Sequence, residues 1–167
     1  MDLYILRHGI AVDHGTPGYE ESERPLTPEG RTKLKKVVRG LKTLEVEPGV
    51  VVSSPLVRAR QTAEMVVEGL GLKRHVAFTD LLTPDGPYSE LLQWLDRQHG
   101  QEDSVMLVGH EPHLSGLVSF LLTGDGRARL ELKKAGLCRL QVEDLQGAHT
   151  ATLCWLLTPR QMGLLEG

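Results

Sequence analysis

Two histidines stand directly after short apolar runs that lie far apart in the chain. Leu6-Arg7-His8-Gly9 closes the first run, and Val108-Gly109-His110-Glu111-Pro112 closes the second. A neutral imidazole is a nucleophile or a proton relay, and a guanidinium is a planar fork of donors that stays charged. Together they are the chemistry of a phosphoryl group. A third segment, Ser53-Ser54-Pro55, follows Val50-Val51-Val52 and opens a helical pattern carrying Arg58 and Arg60. With Ser54 read as that helix's cap, Arg58 falls about one turn in, near the positive end of the macrodipole. Glu111-Pro112 sets another helix start beside His110, where backbone N–H groups can meet an anion. Two arginines, two histidines and two helix starts around one crevice suit a dianion. Each unit-charge pair about 4 Å apart contributes roughly 4 kcal/mol at an effective dielectric of 20. Several such contacts hold a phosphoryl group and offset the charge that develops during its transfer.

These residues meet only if the runs before them are strands of one sheet. Leu3 to Leu6, Val50 to Val52 and Val105 to Val108 each read as a short buried strand. In an open α/β sheet, ligands bind beyond the carboxyl ends of the strands. Between them lie a polar loop from Gly9 to Arg24 and a helix with Thr27 as N-cap and Pro28 at its first position. A second helix runs through Ala59, Ala63, Val66, Val67 and Leu70 until Gly69 and Gly71 break it, and a third strand spans 75–78. A loop from Thr79 to Pro87 leads to a helix with Leu91, Leu92 and Leu95, and Pro112 opens another through Leu114, Leu117, Val118 and Leu121. Past Gly124-Asp125-Gly126 the period changes to two: Cys138, Leu140 and Val142, then Asp144-Leu145-Gln146-Gly147, then Ala151, Leu153 and Trp155. That pattern is an antiparallel hairpin on the edge of a mostly parallel sheet. The expected architecture is α/β, a three-layer α/β/α sandwich, with residues 1–167 as a single domain.

Composition bounds the partners. A net charge of -3 and dispersed basic residues, with Lys33, Lys35 and Lys36 the densest group, do not describe a nucleic-acid binder. No stretch approaches the roughly 18 apolar residues of a membrane span, and the first residues lack a signal-peptide pattern, so a cytoplasmic location is expected. Cys138 and Cys154 fall in strands and read as small core residues, with no further Cys or His at zinc-ligand spacing. Trp94 and Trp155 also read as core. His14, His75, His99, His113 and His149 belong to no motif and read as surface or structural, with His113 closest to the constellation. Arg60 lies about 200° around the helix from Arg58 and is expected to face solvent.

The Leu-Arg-His-Gly start, the run from Ser53 through Arg58, Ala59, Arg60, Gln61 and Thr62 to Ala63, and Val108-Gly109-His110-Glu111-Pro112 resemble the histidine phosphatase superfamily, which has the phosphoglycerate mutase-like fold. The compact length and the entry Arg24-Pro25-Leu26-Thr27-Pro28-Glu29-Gly30 look most like its SixA-type phosphohistidine phosphatases. The resemblance spans nearly the whole chain, in order. It implies that His8 is the nucleophile that accepts the phosphoryl group. It implies too that Arg7 and Arg58 bind the phosphoryl oxygens and that His110 completes the pocket, with Gly9 and Glu111 among the substrate contacts. Water then hydrolyses the phosphohistidine. Neither cofactor nor metal is required, because the arginines supply the positive charge. His8 must be neutral to attack, and the neighbouring arginines disfavour its protonated form.

The chain also departs from the acid-dependent members of that family, which carry a glutamate on the loop after the third strand. Here the loop reads Asp80-Leu81-Leu82-Thr83-Pro84-Asp85, placing Thr83 or Pro84 at that position. Asp80, Asp85 and Glu90 are the candidate substitutes, against the plainer reading that they are surface carboxylates. Ile10 replaces the polar residue often found after Arg-His-Gly. A site without an acid favours phosphohistidine over alkyl esters, whose leaving group needs a proton. The expected function is removal of phosphate from phosphohistidine in proteins. A small-molecule phosphomonoesterase and a non-catalytic phosphate- or phosphoprotein-binding module are the alternatives.

Overall fold

The alternation of the apolar runs determines which layer each side chain enters. In the computed structural model, which describes residues 1–165, six strands form one sheet: β1 (Asp2–Arg7), β2 (Val50–Ser53), β3 (Ala77–Phe78), β4 (Ser104–Gly109), β5 (Leu137–Val142) and β6 (Ala151–Leu157). The last two residues of the expected 1–167 span lie outside the described residues. The order is β3-β2-β4-β1-β5-β6, with the first four strands parallel and the β5–β6 hairpin antiparallel at one edge. Leu3 and Ile5, Val50 and Val52, and Val105 and Leu107 point to one face; Tyr4 and Leu6, Val51, and Met106 and Val108 point to the other. That is the two-residue period of a strand buried on both sides.

Each face is covered by helices with matching stripes. α1 (Pro28–Thr43), α2 (Val57–Leu70) and α5 (Pro159–Leu164) cover one with Leu34, Val37, Ala59, Ala63, Val66 and Met162. α3 (Tyr88–His99) and α4 (His113–Thr123) cover the other with Leu91, Leu95, Leu114, Leu117 and Leu121. The result is the three-layer sandwich with a mostly parallel sheet and an antiparallel edge hairpin, as the sequence patterns imply.

Local chemistry sets the helix ends. Thr27 Oγ1 accepts from the Gly30 backbone N–H at 3.0 Å, capping α1 as its position before Pro28 predicts. Gly30 has no Cβ because one would stand 2.1 Å from the Ile10 carbonyl oxygen, so α1 starts directly against the loop that leaves β1. Gly71, at φ 69°, closes α2 in the left-handed region.

Three expectations change. β3 is only two residues long, and His75 lies before it, exposed. Cys154 is exposed and is no core residue, because β6 is the outermost strand and Thr152, Leu153 and Cys154 lack cover. Ser54 does not cap α2: the helix begins at Val57 after Leu56, and Arg58 is therefore its second residue rather than one turn in. Trp94 and Trp155 are half-buried against the two core clusters.

Candidate active site

The strand order makes the constellation. β1 and β4 are parallel neighbours in a register that pairs Arg7 with Gly109, so His8 and His110 leave the sheet side by side. β4 has β2 on its other flank, with Ser53 opposite Val108, and Ser54 N–H donates to the Val108 carbonyl at 3.0 Å. His8, His110 and Ser54 thus emerge from three adjacent carboxyl ends, and the first turn of α2 adds Arg58. The His8 and His110 ring centroids are 5.2 Å apart. Arg7, His8, Arg58, His110 and Glu111 all line one pocket of about 340 Å³.

His8 is held in one tautomer. Its Nδ1–H donates to the carbonyl of Gly9 at 2.7 Å, which leaves Nε2 with the lone pair. His8 is 7% exposed, and its pKa is lowered to about 3. Burial is the main cause; Arg58, Arg7 and Lys134 add to it, and the hydrogen bond to Gly9 opposes it. The arginines disfavour the protonated form as expected, but they rank behind desolvation.

Gly9 does not line this pocket, and both its polar groups are committed. Its carbonyl serves His8, and its N–H donates to Thr62 Oγ1 at 3.0 Å. Thr62, fully buried one helical turn past Arg58, donates in turn to the Arg58 carbonyl at 2.7 Å. Gly9 and Thr62 therefore tie the end of β1 to the first turns of α2. Gly9, expected as a substrate contact, instead spends both its polar groups on His8 and Thr62.

Arg58 is 3% exposed. One of its terminal nitrogens donates to the Glu21 backbone carbonyl at 2.9 Å, and the other lies 3.4 Å from the Glu21 carboxylate. Arg24 grips that carboxylate with two donors, at 2.9 and 2.7 Å, and donates to the Val12 carbonyl at 2.7 Å; His14 pairs with it as well. These hydrogen bonds hold the Glu21 carboxyl down at about 2, so it is ionised across the working range. Arg7 donates to the Leu132 carbonyl at 3.0 Å, and its Nε, like that of Arg58, has no protein partner. Arg60, by contrast, is exposed and pairs with Glu64 on its own helix.

His110 is 2% exposed, and burial, then the nearness of His8 and Arg58, lowers its pKa to about 3. Its Nε2 lies 2.8 Å from Ser54 Oγ, and its Nδ1 has no protein partner. The Ser54 hydroxyl, expected to cap a helix, orients this imidazole. The Glu111 carboxylate accepts from the Ser115 N–H at 2.9 Å, so the N-terminus of α4 is already met by the chain's own anion, and the anion contact expected there is taken. His113 is buried but does not line the pocket; it is hydrogen-bonded to the Gly86 carbonyl at 2.7 Å, and its ring lies tilted against Tyr88.

The loop after β3 brings Pro84 to the pocket edge, while Asp80, Asp85 and Glu90 are exposed and do not line it. The carboxylates that do are Asp13, Glu21 and Glu111. Asp13, His14, Glu21, Arg24 and Lys134 also line the pocket, although no sequence motif marks any of them as a site residue. The available signal was the opposite charges of Glu21 and Arg24 three residues apart, which point to one helical turn inside an otherwise polar loop. Among the described residues, no group of three or more His, Cys, Asp or Glu is placed to hold a metal ion.

Residues 3–81 match the family model of the histidine phosphatase superfamily (branch 1). The chain is 38% identical over 160 residues to an uncharacterized protein of Picosynechococcus, covering 95% of this chain and 96% of that one. It is 32% identical over 126 residues to phosphohistidine phosphatase SixA of Escherichia coli strain K12, covering 75% and 76% of the two chains. A solved structure of the protein histidine phosphatase SixA complexed with tungstate superposes with a TM-score of 0.83 at 28% identity, over 96% of this chain and 98% of that one.

Proposed function

Because the chain belongs to the histidine phosphatase superfamily, we propose that it is a metal-independent phosphatase working through a phospho-His8 intermediate, with phosphohistidine in proteins as its substrate. The His8 Nε2 lone pair attacks phosphorus while the substrate's P–N bond breaks. That bonding pair leaves with the substrate imidazole, which takes up a proton. Arg7 and Arg58, each with a buried Nε lacking a protein partner, receive the phosphoryl oxygens. His110, fixed by Ser54, stands beside His8 to stabilise the transferring group. Water then attacks phosphorus, the bond to Nε2 breaks, and His8 is returned neutral. The tungstate in the 28%-identical SixA structure, a tetrahedral oxyanion, supports this reading of the pocket.

The substrate class rests on one observation: among the described residues, the loop after β3 brings Pro84, and no carboxylate, to the pocket edge. Of the carboxylates that line the pocket elsewhere, Glu21 is held ionised by Arg24 and His14 and Glu111 accepts from Ser115, which leaves Asp13 as the open candidate. Expelling an alkoxide needs a delivered proton, whereas imidazole leaves readily from a P–N bond once its free nitrogen is protonated. The test is kcat/KM for a phosphohistidine protein, an aryl phosphate and 3-phosphoglycerate at one pH. The order expected is phosphohistidine, then aryl, then alkyl ester. An alkyl ester turned over as fast as the phosphoramidate, and lost selectively in Asp13→Ala, Asp80→Ala, Asp85→Ala or Glu90→Ala, overturns this substrate class.

A further inference from the structure

A second concavity of about 580 Å³ adjoins the active pocket and shares Arg7 and Lys134 with it. It lies between the start of α1, the segment leading into β5 and the start of α5. Ile10, Ala135 and Pro159 give it an apolar floor. Lys33, Lys133, Lys134 and Arg160 stand around that floor, with Glu131 the single carboxylate. All four cations are exposed. Lys33 has a local partner in Glu29 and Lys133 in Glu131, while no carboxylate pairs with Lys134 or Arg160 among the described residues. In a chain of net charge -3 this is a local excess of positive charge, and it lies beside the nucleophile.

The wall between groove and pocket is firmly mounted. The Ala135 N–H donates to the carbonyls of both Arg7 and His8 at 3.1 Å, and Arg7 reaches the Leu132 carbonyl from the other side. Lys133 and Lys134 are therefore carried on a segment bonded directly to the end of β1, at a fixed offset from His8.

We propose that this groove is the docking surface for the polypeptide around the substrate's phosphohistidine, and that it selects partners whose phosphohistidine lies beside acidic residues. The inference rests on the phosphoprotein reading above. Its arguments are charge complementarity and continuity with the catalytic pocket. A leaving group that is a whole protein must extend out of the pocket, and this groove offers it apolar contact ringed by cations. Such rim charges act mainly on association rate and on its salt dependence.

The test is Arg160→Glu together with Lys33→Glu. Both are exposed helix positions outside the catalytic pocket, and a glutamate in the first turn of α5 suits the helix dipole. The probes are a small protein phosphorylated on a surface histidine with acidic flanks, the same protein with those acids changed to amides, and an aryl phosphate. The double variant should lose about tenfold in kcat/KM on the acidic phosphoprotein, with the loss shrinking as salt rises. It should show little change on the amide protein and none on the aryl phosphate. Equal loss on all three, or no loss on any, overturns the docking surface while leaving the phosphohistidine reading intact. A wild type that turns over the aryl phosphate but neither phosphoprotein overturns that reading, and the docking surface with it.

Discussion

Thr62→Val isolates the link between β1 and α2. The substitution keeps the side-chain volume but deletes the hydroxyl that accepts from the Gly9 N–H at 3.0 Å, at a fully buried position. Leaving that buried N–H unpaired costs about 1–3 kcal/mol. The Arg58 carbonyl loses less, because it lies within the helical ladder of α2. For a domain of this size each 1 kcal/mol moves Tm by about 2–4 °C, so a fall of about 2–12 °C is expected. The catalytic effect should be the larger one. Gly9 presents the carbonyl that holds His8 Nδ1 at 2.7 Å, and a freed Gly9 lets the imidazole rotate off line. Misplacing a reacting group by about 1 Å costs as much as a hundredfold, so kcat should fall by about 10- to 100-fold with KM little changed. Thr62→Ser, which retains the hydroxyl, should recover most of that activity. Thermal denaturation and steady-state kinetics on an aryl phosphate read both effects. Lost stability with unchanged kcat would refute the alignment argument and leave Thr62 a purely structural residue.

Other outcomes follow from the same geometry. Arg58→Ala should lose about a hundredfold to a thousandfold in kcat, the cost of removing a charged donor from a buried transition state, while exposed Arg60→Ala stays near wild type; equal losses would mean Arg58 does not meet the phosphoryl group. Ser54→Ala strips His110 Nε2 of its partner and should lower kcat by about tenfold, measured with the fold checked by circular dichroism. Stability should fall on acidification. His8 and His110 titrate at about 3 when folded but near 6.5 when unfolded, so the unfolded state takes up protons first and folding weakens as pH drops below about 6.5. Each contributes a slope of up to about 1.4 kcal/mol per pH unit until about pH 3, and urea melts of wild type and His110→Gln should show a shallower slope in the variant.

Much of this was legible because strands and helices announce their phase. The short apolar runs before His8 and His110 read as buried strands, and the change to a two-residue period past Gly126 marks the edge hairpin. Arg58 and Arg60 separate on helical phase alone. Tertiary pairings were not legible. Ser54 has the residue type of a cap, but the neighbouring ends of β2 and β4 give its hydroxyl to His110. The Glu21, Arg24 and His14 cluster depends on how a polar loop folds back over Arg58, and no periodicity encodes that. Cys154 reads as core from its residue type and its place in a strand, yet β6 is the last strand of the sheet and leaves it exposed.

The claim on which everything turns is covalent: the phosphoryl group passes through His8 Nε2. Rapid quench of the wild type with radiolabelled phosphorylated substrate, followed by peptide mapping, reads it directly. The account predicts an acid-labile, base-stable label on His8 and a His8→Ala variant that folds but does not turn over. Label on Ser54, or no adduct together with an active His8→Ala, would contradict it.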